Sequence, residues 1–478
     1  MNETIIGREE EIRTLQRLLE SREPELLAIY GRRRVGKTFL VKTFFKPHMI
    51  FSCSGQLEGN TAQQLLNFAK QLALSFPQRK NKTPPSGWQD AFYQLRDCID
   101  TLKGKKKKVI FFDELPWLDS HKSGFLSSFG YFWNMYASRR NDLLVVICGS
   151  AASWIINKVV NNKGGLHNRI TQRIRLLPFT LKETAAYLRH KNIKTDPYQL
   201  LQLYMVTGGV PAYLNAVEKG KSAAQNIEQL CFQKDGMLAN EFNNLYAALF
   251  NKPERHIRII KALAQKNKGL TRSGILKTAQ KLTGGGISEV LNELTESGFI
   301  SKVYPYEKKE RDALYRLTDE FSLFYFKFME HQKGNQKGQW LRKQATPAYT
   351  TWCGYAFENI CIKHIQEIKR GLQIAGIQSS EASWIQTGTH TDPGAQIDLL
   401  IDRADRCINI CEIKFSRTEF SIDKRYAAEL ANKLTVFRER TRTRKMVFIT
   451  LITTYGVKQN DYYTNLVENN LTMEALFQ

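Results

Sequence analysis

Apolar and polar positions change rhythm several times along these 478 residues, and the changes divide the chain. Up to about residue 180, short apolar runs alternate with stretches whose apolar residues recur at helical spacing. Leu26 to Tyr30, Val109 to Phe112 and Leu143 to Cys148 are continuous apolar runs of strand length. The opening Ile5 to Ile12 leads into a helix through Leu15, Leu18 and Leu19, and Thr38 to Phe45 reads as another. Short buried strands separated by helices predict a parallel sheet covered on both faces, an α/β fold. The polar stretch Gln78 to Gly87, with Pro84-Pro85, reads as a long loop inside it. From 181 to 250 the pattern is mostly helical, broken at Thr207-Gly208-Gly209-Val210-Pro211.

Residues 251–330 have a different rhythm. Helical patterns at His256 to Ala264 and Thr271 to Leu282 lead to a Gly284-Gly285-Gly286 break and a third helix, Ile287 to Ser297. Two short strand-like runs come next, Ser301 to Tyr306 and Ala313 to Leu317, joined by a charged loop. Three helices and a hairpin describe a winged helix. Its third helix would normally enter a DNA groove, yet it bears Glu289, Glu293 and Glu296 and no Lys or Arg. Phosphate repels such a face, which favours docking to protein, while Lys308, Lys309 and Arg311 at the hairpin tip can still meet a nucleic-acid backbone. The polar segment 331–345 reads as a linker. The final domain, 346–478, opens with a helical stripe of Phe357, Ile360, Cys361 and Ile365, and continues with strands at Gln396 to Ile401 and Ile408 to Lys414.

Candidate chemistry falls at two places in this frame. Gly31-Arg32-Arg33-Arg34-Val35-Gly36-Lys37-Thr38 joins a predicted strand to a predicted helix, the setting of a phosphate-binding loop. Loop N–H groups and the helix N-terminus make an anion cradle. Gly31, Arg34, Gly36, Lys37 and Thr38 are therefore nucleotide-binding candidates, with Lys37 on the β/γ-phosphates of ATP and the Thr38 hydroxyl on Mg²⁺. Asp113, leaving the Val109 to Phe112 strand, can hold that Mg²⁺, and Glu114 can orient or deprotonate the attacking water. Ser150, at the end of the Leu143 strand, is placed to sense the γ-phosphate.

The second place is the predicted hairpin of the last domain. With period two, Glu412 and Lys414 share a face, and Asp398 on the paired strand can join them. Glu358 lies at the edge of the preceding helical stripe. Carboxylates converging on one face bind a divalent cation, Mg²⁺ or Mn²⁺, through oxygen, and a neighbouring lysine can activate water for phosphodiester hydrolysis. Asp402 is either a further member or the solvated end of its strand.

Bulk composition narrows the partners. Seventy Lys+Arg against 46 Asp+Glu leave a formal charge of +24, an electrostatic footprint for a polyanion, DNA more than RNA. Eight cysteines form no Cys-x-x-Cys pair or zinc-type cluster, which points to a reducing, cytoplasmic setting. There is no signal-peptide pattern and no apolar run of membrane-spanning length.

Together the Ile5 to Leu15 opening, the arginine-rich loop and Phe111-Phe112-Asp113-Glu114 resemble the prokaryotic "archaeal ATPase" group of AAA+ and STAND P-loop ATPases. The resemblance implies a core at 1–180 and a helical lid at 181–250. It places Pro211 of the Gly-Gly-Val-Pro motif near adenine, and Arg169 or Arg173 near a γ-phosphate in cis or from a neighbouring subunit. The last domain resembles the restriction-endonuclease-like PD-(D/E)XK fold, in which Asp398, Glu412 and Lys414 match the core and Glu358 the helical acid. Gln396 departs from it, standing where relatives often carry an acid. The two resemblances together imply an ATPase whose nucleotide state controls a metal-dependent nuclease on nucleic acid. The alternatives are a STAND-like assembly switch with an inactive binding domain and, third, a DNA-binding regulator working through the winged helix.

Overall fold

The computed structural model describes residues 4–478 apart from 79–82, 161–164, 167, 251, 267, 280–284, 309, 333–337 and 389–393. Part of the predicted loop at 78–87, the end of the second winged-helix helix with Gly284, His167, Lys309 at the hairpin tip, and the middle of segment 331–345 lie outside the described residues. The chain divides into two compact units, Met1–Pro178 and Phe179–Gln478.

The first unit is built on strands β1 (Glu25–Tyr30), β2 (Met49–Ser54), β3 (Lys108–Asp113), β4 (Leu143–Gly149) and β5 (Gln172–Arg175). They form one sheet in the order β2-β3-β4-β1-β5, parallel throughout. Every residue of β3 and β4 is buried, as a parallel sheet with helices on both faces requires. Alternation sorts the side chains. Leu27, Ile29, Val109, Phe111, Val146 and Ile174 meet Leu15, Leu40, Val41 and Phe45 on one face. Ala28, Ile110, Phe112, Val145 and Ile147 meet Phe68, Trp88, Phe92, Phe125 and Phe129 on the other. Because all strands run the same way, their carboxyl ends gather at one edge, where such sheets bind ligands.

The second unit begins with helices whose ends are set by their caps. Thr180 and Glu183 form a capping box at Leu181–His190, and the Asp196 side chain caps Pro197–Thr207. Gly209 turns the chain at φ 70°, with Phe179 N–H donating to its carbonyl at 2.8 Å. A Cβ there would lie 2.1 Å from the Phe179 carbonyl oxygen, so only glycine fits.

Helices Pro253–Ala264, Arg272–Thr278 and Ile287–Glu296 precede the antiparallel pair β6 (Ile300–Val303) and β7 (Leu314–Leu317), in winged-helix order. Glu293 of the acidic third helix is held 2.7 Å from buried His256 on the first. The hairpin is not free at its base: Tyr306 N–H donates to the Ser383 carbonyl at 2.8 Å, on strand β8 (Ser379–Gln386) of the final domain.

The final domain's strands are β8, β9 (Ala395–Arg403), β10 (Cys407–Lys414), β11 (Met446–Thr453) and β12 (Asn469–Thr472), in the order β12-β11-β10-β9-β8. β9 is antiparallel to both neighbours, while β10, β11 and β12 run parallel. Helix Pro347–Lys363 covers one face through Phe357, Ile360 and Cys361. Helix Lys424–Thr441 covers the other through Ala427, Leu430, Val436 and Phe437. Segment 331–345 is corrected as a linker from residue 338 onward. Gln339–Lys343 is helical, and Trp340 is buried in the core, stacked on Phe232 at 5.8 Å. One large indole outweighs the polar residues around it, because its burial removes more apolar surface from water than their exposure requires.

Candidate functional sites

At the carboxyl edge of the first sheet, β1 ends at Tyr30 and the chain turns through Gly31 (φ 150°), Arg34 (φ 72°) and Gly36 (φ 92°) into helix Lys37–Phe44. A Cβ on Gly31 would lie 2.2 Å from the Leu176 carbonyl oxygen, so this glycine permits the close pass of loop against β5. No side chain caps the helix, and Leu40 N–H is bonded to the Gly36 carbonyl at 2.9 Å. The N–H groups before Leu40 belong to the first turn, which leaves them for an anion. Buried Lys37 curls back, its Nζ donating to the carbonyls of Gly31 and Arg32 at 2.9 Å each. A phosphate would replace those carbonyls with a charged acceptor.

The acidic pair lies beside this loop. Thr38 Oγ1 donates to Asp113 Oδ2 at 2.8 Å, joining loop to β3. Glu114 comes next at φ 44°, an uncommon conformation for a non-glycine residue, at the start of the short helix Leu115–Leu118. Its carboxylate accepts from Ser150 N–H at 3.0 Å and from Ser150 Oγ at 2.7 Å. Loop, β3 and β4 thus converge, and the chain gathers Lys37, Thr38, Asp113, Glu114 and Ser150 at one edge.

The arginines are sorted by strand direction. Thr171 N–H bonds the Leu26 carbonyl at the amino end of β1, so exposed Arg169, two residues earlier, stands at the edge away from the loop. Arg173 pairs with Ala28 in mid-strand, and Arg175 pairs with Tyr30, where the loop begins. For a site within one chain, Arg175 is the nearer arginine, and its sequence position alone does not single it out. The same is true of Arg8. It is buried, precedes helix Glu9–Glu20 in the left-handed conformation (φ 63°), and donates to the Val35 carbonyl at 3.2 Å, bracing the loop from behind. Pro211 belongs to the second unit, where it opens helix Pro211–Asn215.

In the final domain, Ile410 of β10 faces Leu400 of β9 and Cys411 faces Leu399. The pairing ends there, and Glu412, the next residue of β10, is directed toward helix Lys424–Thr441. There Lys433 Nζ donates to Glu412 Oε1 at 2.5 Å and the Tyr426 hydroxyl to Oε2 at 3.1 Å. Lys414 Nζ stands 3.6 Å from the same carboxylate and 5.0 Å from the Tyr426 ring centre. Gln396 donates to Asp398, and Lys445 to Asp402, which makes Asp402 an ion-paired strand end.

Glu358 comes from the helix on the opposite face and is held from outside the domain: Arg316 Nη2, on β7, donates to its Oε1 at 2.6 Å. Burial pushes the Glu358 carboxyl upward, Arg316 pulls it down, and the charges of Asp398 and Glu412 push it up again. The expected metal set of Glu358, Asp398 and Glu412 is therefore not assembled. Each acid has its own partner, and among the described residues no group of three His, Cys, Asp or Glu stands ready to hold a metal. Tyr426, Lys433 and Arg316 were missed. The signal for the first two was their seven-residue separation, two helical turns, which puts both on the sheet-facing side.

Among the described residues no helix is long and apolar enough to cross a membrane. Residues 5–217 match the family described as an ATPase domain predominantly from Archaea. An uncharacterized protein of Methanocaldococcus jannaschii is 24% identical over 415 residues, 86% of this chain and 87% of that one. An uncharacterized ATP-binding protein of the same organism is 44% identical over 41 residues, 9% of this chain and 70% of that one. Among solved structures, a Walker-type ATPase of Pyrococcus abyssi superposes with a TM-score of 0.51 at 18% identity, covering 67% of this chain and 96% of that one, a likeness of fold. With the loop, sheet and family match in agreement, the chain belongs through residues 5–217 to the archaeal-type P-loop ATPases, nucleotide-binding enzymes that hydrolyse ATP.

Proposed function

We propose that this ATPase uses its nucleotide state to control the final domain, a nuclease-like module that acts on nucleic acid, DNA before RNA. The observation that carries the proposal is the face of β10 that presents Glu412 and Lys414, with Asp398 on the neighbouring strand β9, on a chain of +24 formal charge. In the first unit the loop N–H groups and Lys37 bind the β- and γ-phosphates. The Thr38 hydroxyl and Asp113 carboxylate, 2.8 Å apart, fit the Mg²⁺ of MgATP and would hold it between them. That ion, when bound, neutralises charge on the phosphates. Glu114 orients the water and takes its proton, Ser150 positions Glu114, and Arg175 at the carboxyl end of β5 meets the γ-phosphate side. Arg169, away from that edge, suits a neighbouring copy in a homo-oligomer. Eight free thiols support a cytoplasmic setting.

A second reading has its own support. Lys433 and Arg316 already engage Glu412 and Glu358, which suits a STAND-like switch whose final domain binds a partner and no longer cuts. The wing's bond to β8 makes the winged helix an interdomain element, and a groove-reading regulator is the weaker case.

The test is cleavage of supercoiled plasmid and single-stranded DNA with Mg²⁺ or Mn²⁺, with and without ATP, beside Lys414→Ala and Lys37→Ala. Cutting that is lost in Lys414→Ala and altered in Lys37→Ala is the expected result. No cutting under any condition, with ATP turnover intact, overturns the nuclease reading in favour of the switch.

A further inference from the structure

Two turns at one edge of the final sheet concentrate arginine that neither candidate site uses. β9 and β10 are joined by residues 404–406, and helix Lys424–Thr441 is joined to β11 by residues 442–445. Met446 N–H donates to the Arg406 carbonyl at 3.0 Å and Lys445 Nζ to the Arg403 carbonyl at 3.1 Å, so the two turns lie side by side. Arg406, Arg438, Arg440, Arg442 and Arg444 are all exposed there. The aspartates beside them are already committed, Asp402 to Lys445 and Asp405 to Arg403. Within 402–406 and 438–445 only Glu439 is left, one carboxylate against five exposed guanidiniums. Helix polarity accounts for part of this, because a helix favours cations in its last turn, where Arg438 and Arg440 lie. It does not account for Arg442 or Arg406. Both hold left-handed backbone, at φ 50° and φ 65°, where glycine or asparagine sits at less cost. Like charges crowded on a surface repel, so the arrangement works against folding until an anion joins it.

We propose that this edge is a docking surface for the phosphate backbone of nucleic acid, separate from the face of β10 that bears Glu412 and Lys414. Arginine supplies all of its exposed charge, and the planar guanidinium takes two phosphate oxygens at once. A strand rises about 3.3 Å per residue, so Cys407 to Lys414 spans roughly 23 Å. Arg406 therefore stands at the far end of β10 from Lys414. A duplex carries a phosphate on each strand every ~3.4 Å of its axis, so about seven base pairs cover that span, which a small anion does not. Met446 is the one large exposed apolar residue between 402 and 446, so the edge lacks the apolar face that a membrane-surface helix buries. Contacts to phosphate set affinity and placement and carry no sequence information. The inference rests on the reading that the chain engages nucleic acid, and it does not require the final domain to cut.

The experiment is fluorescence anisotropy of a short labelled DNA duplex with the full chain, across roughly 50 to 200 mM salt. Nucleotide and divalent metal are left out, which keeps binding apart from cleavage. Wild type is compared with Arg438→Gln/Arg442→Gln/Arg444→Gln and with Lys103→Gln/Lys105→Gln/Lys106→Gln, exposed lysines of the first unit that remove the same charge. The arginine triple should weaken binding at low salt at least about tenfold. It should also flatten the slope of log affinity against log salt by about 2.7, at about 0.9 per phosphate contact. The lysine triple should leave both close to wild type. Equal losses in the two triples overturn the edge and assign the binding to bulk charge. If the arginine triple fails to fold, Arg406→Gln on the other turn decides, by a slope lower by about 0.9. Wild type that binds no duplex at the lowest salt overturns the nucleic-acid reading and the edge together, whereas binding that ignores the arginines overturns the edge alone.

Discussion

At the scale of single residues, the charged side chains of the proposed ATPase site are already held by protein neighbours. Lys37 is folded onto two carbonyls and Glu114 onto Ser150. Both contacts keep a charge satisfied where burial would otherwise penalise it. Glu114→Gln keeps the volume and the bond to Ser150 but cannot take a proton. Phosphate release should fall by about 10²–10⁴-fold, while affinity for a fluorescent ATP analogue stays within a few-fold of wild type. Turnover that survives the substitution would move the base to another residue.

At the scale of elements, helix Pro347–Lys363 gathers several contacts in the second unit. It carries Glu358, its Lys363 Nζ lies 2.7 Å from buried Glu320, and the residue after it, His364, caps helix Leu181–His190. Glu320 in turn packs on Gly208, at the end of Pro197–Thr207. The His364 bonds define its tautomer: Nδ1–H donates to the Ile360 carbonyl at 2.8 Å and Nε2 accepts from Leu181 N–H at 3.0 Å. A proton on Nε2 would break the second bond, and burial pushes the pKa down to about 4. Unfolded, the ring titrates at its ordinary value near 6.5. Between those values the unfolded chain binds the extra proton, so stability falls as pH drops from about 6.5 toward 4, by up to about 3 kcal/mol. Urea unfolding at pH 7 and at pH 4.5 should show this loss in wild type. In His364→Gln, less stable at pH 7, the pH-dependent part should shrink, and an equal slope in both proteins would assign the acid sensitivity elsewhere.

At the scale of the whole molecule, the charge of +24 sets the expected behaviour with a polyanion. Binding through phosphate contacts releases counterions, so affinity for a duplex should fall by about 10³-fold between roughly 50 and 200 mM salt with some six phosphates neutralised. Filter binding or fluorescence anisotropy across that range measures the slope. Affinity that is flat with salt, or absent at the low end, would sink the nucleic-acid reading and leave the charge to solubility.

What the chain determines by itself is whatever its chemistry keeps local. The loop Gly31 to Thr38 is contiguous, its flanking strand and helix are dictated by apolar spacing, and Asp113 and Glu114 sit at the end of an apolar run. Period two likewise put Glu412 and Lys414 on one face. Tertiary structure decided which charges meet. Arg316 reaches Glu358 across 42 residues, Lys433 reaches Glu412 across 21, and Arg8 reaches Val35 across 27. A lysine in a sequence is equally a solvated charge or a buried counter-ion, and Trp340 in a polar segment is equally exposed or core. The difference is made by which surfaces the fold brings together and by the water it excludes, because the strength of a charge pair depends on the medium between its partners. That is why the loop and its acidic pair could be picked out in the sequence, while the contacts of Arg316 and Lys433 could not.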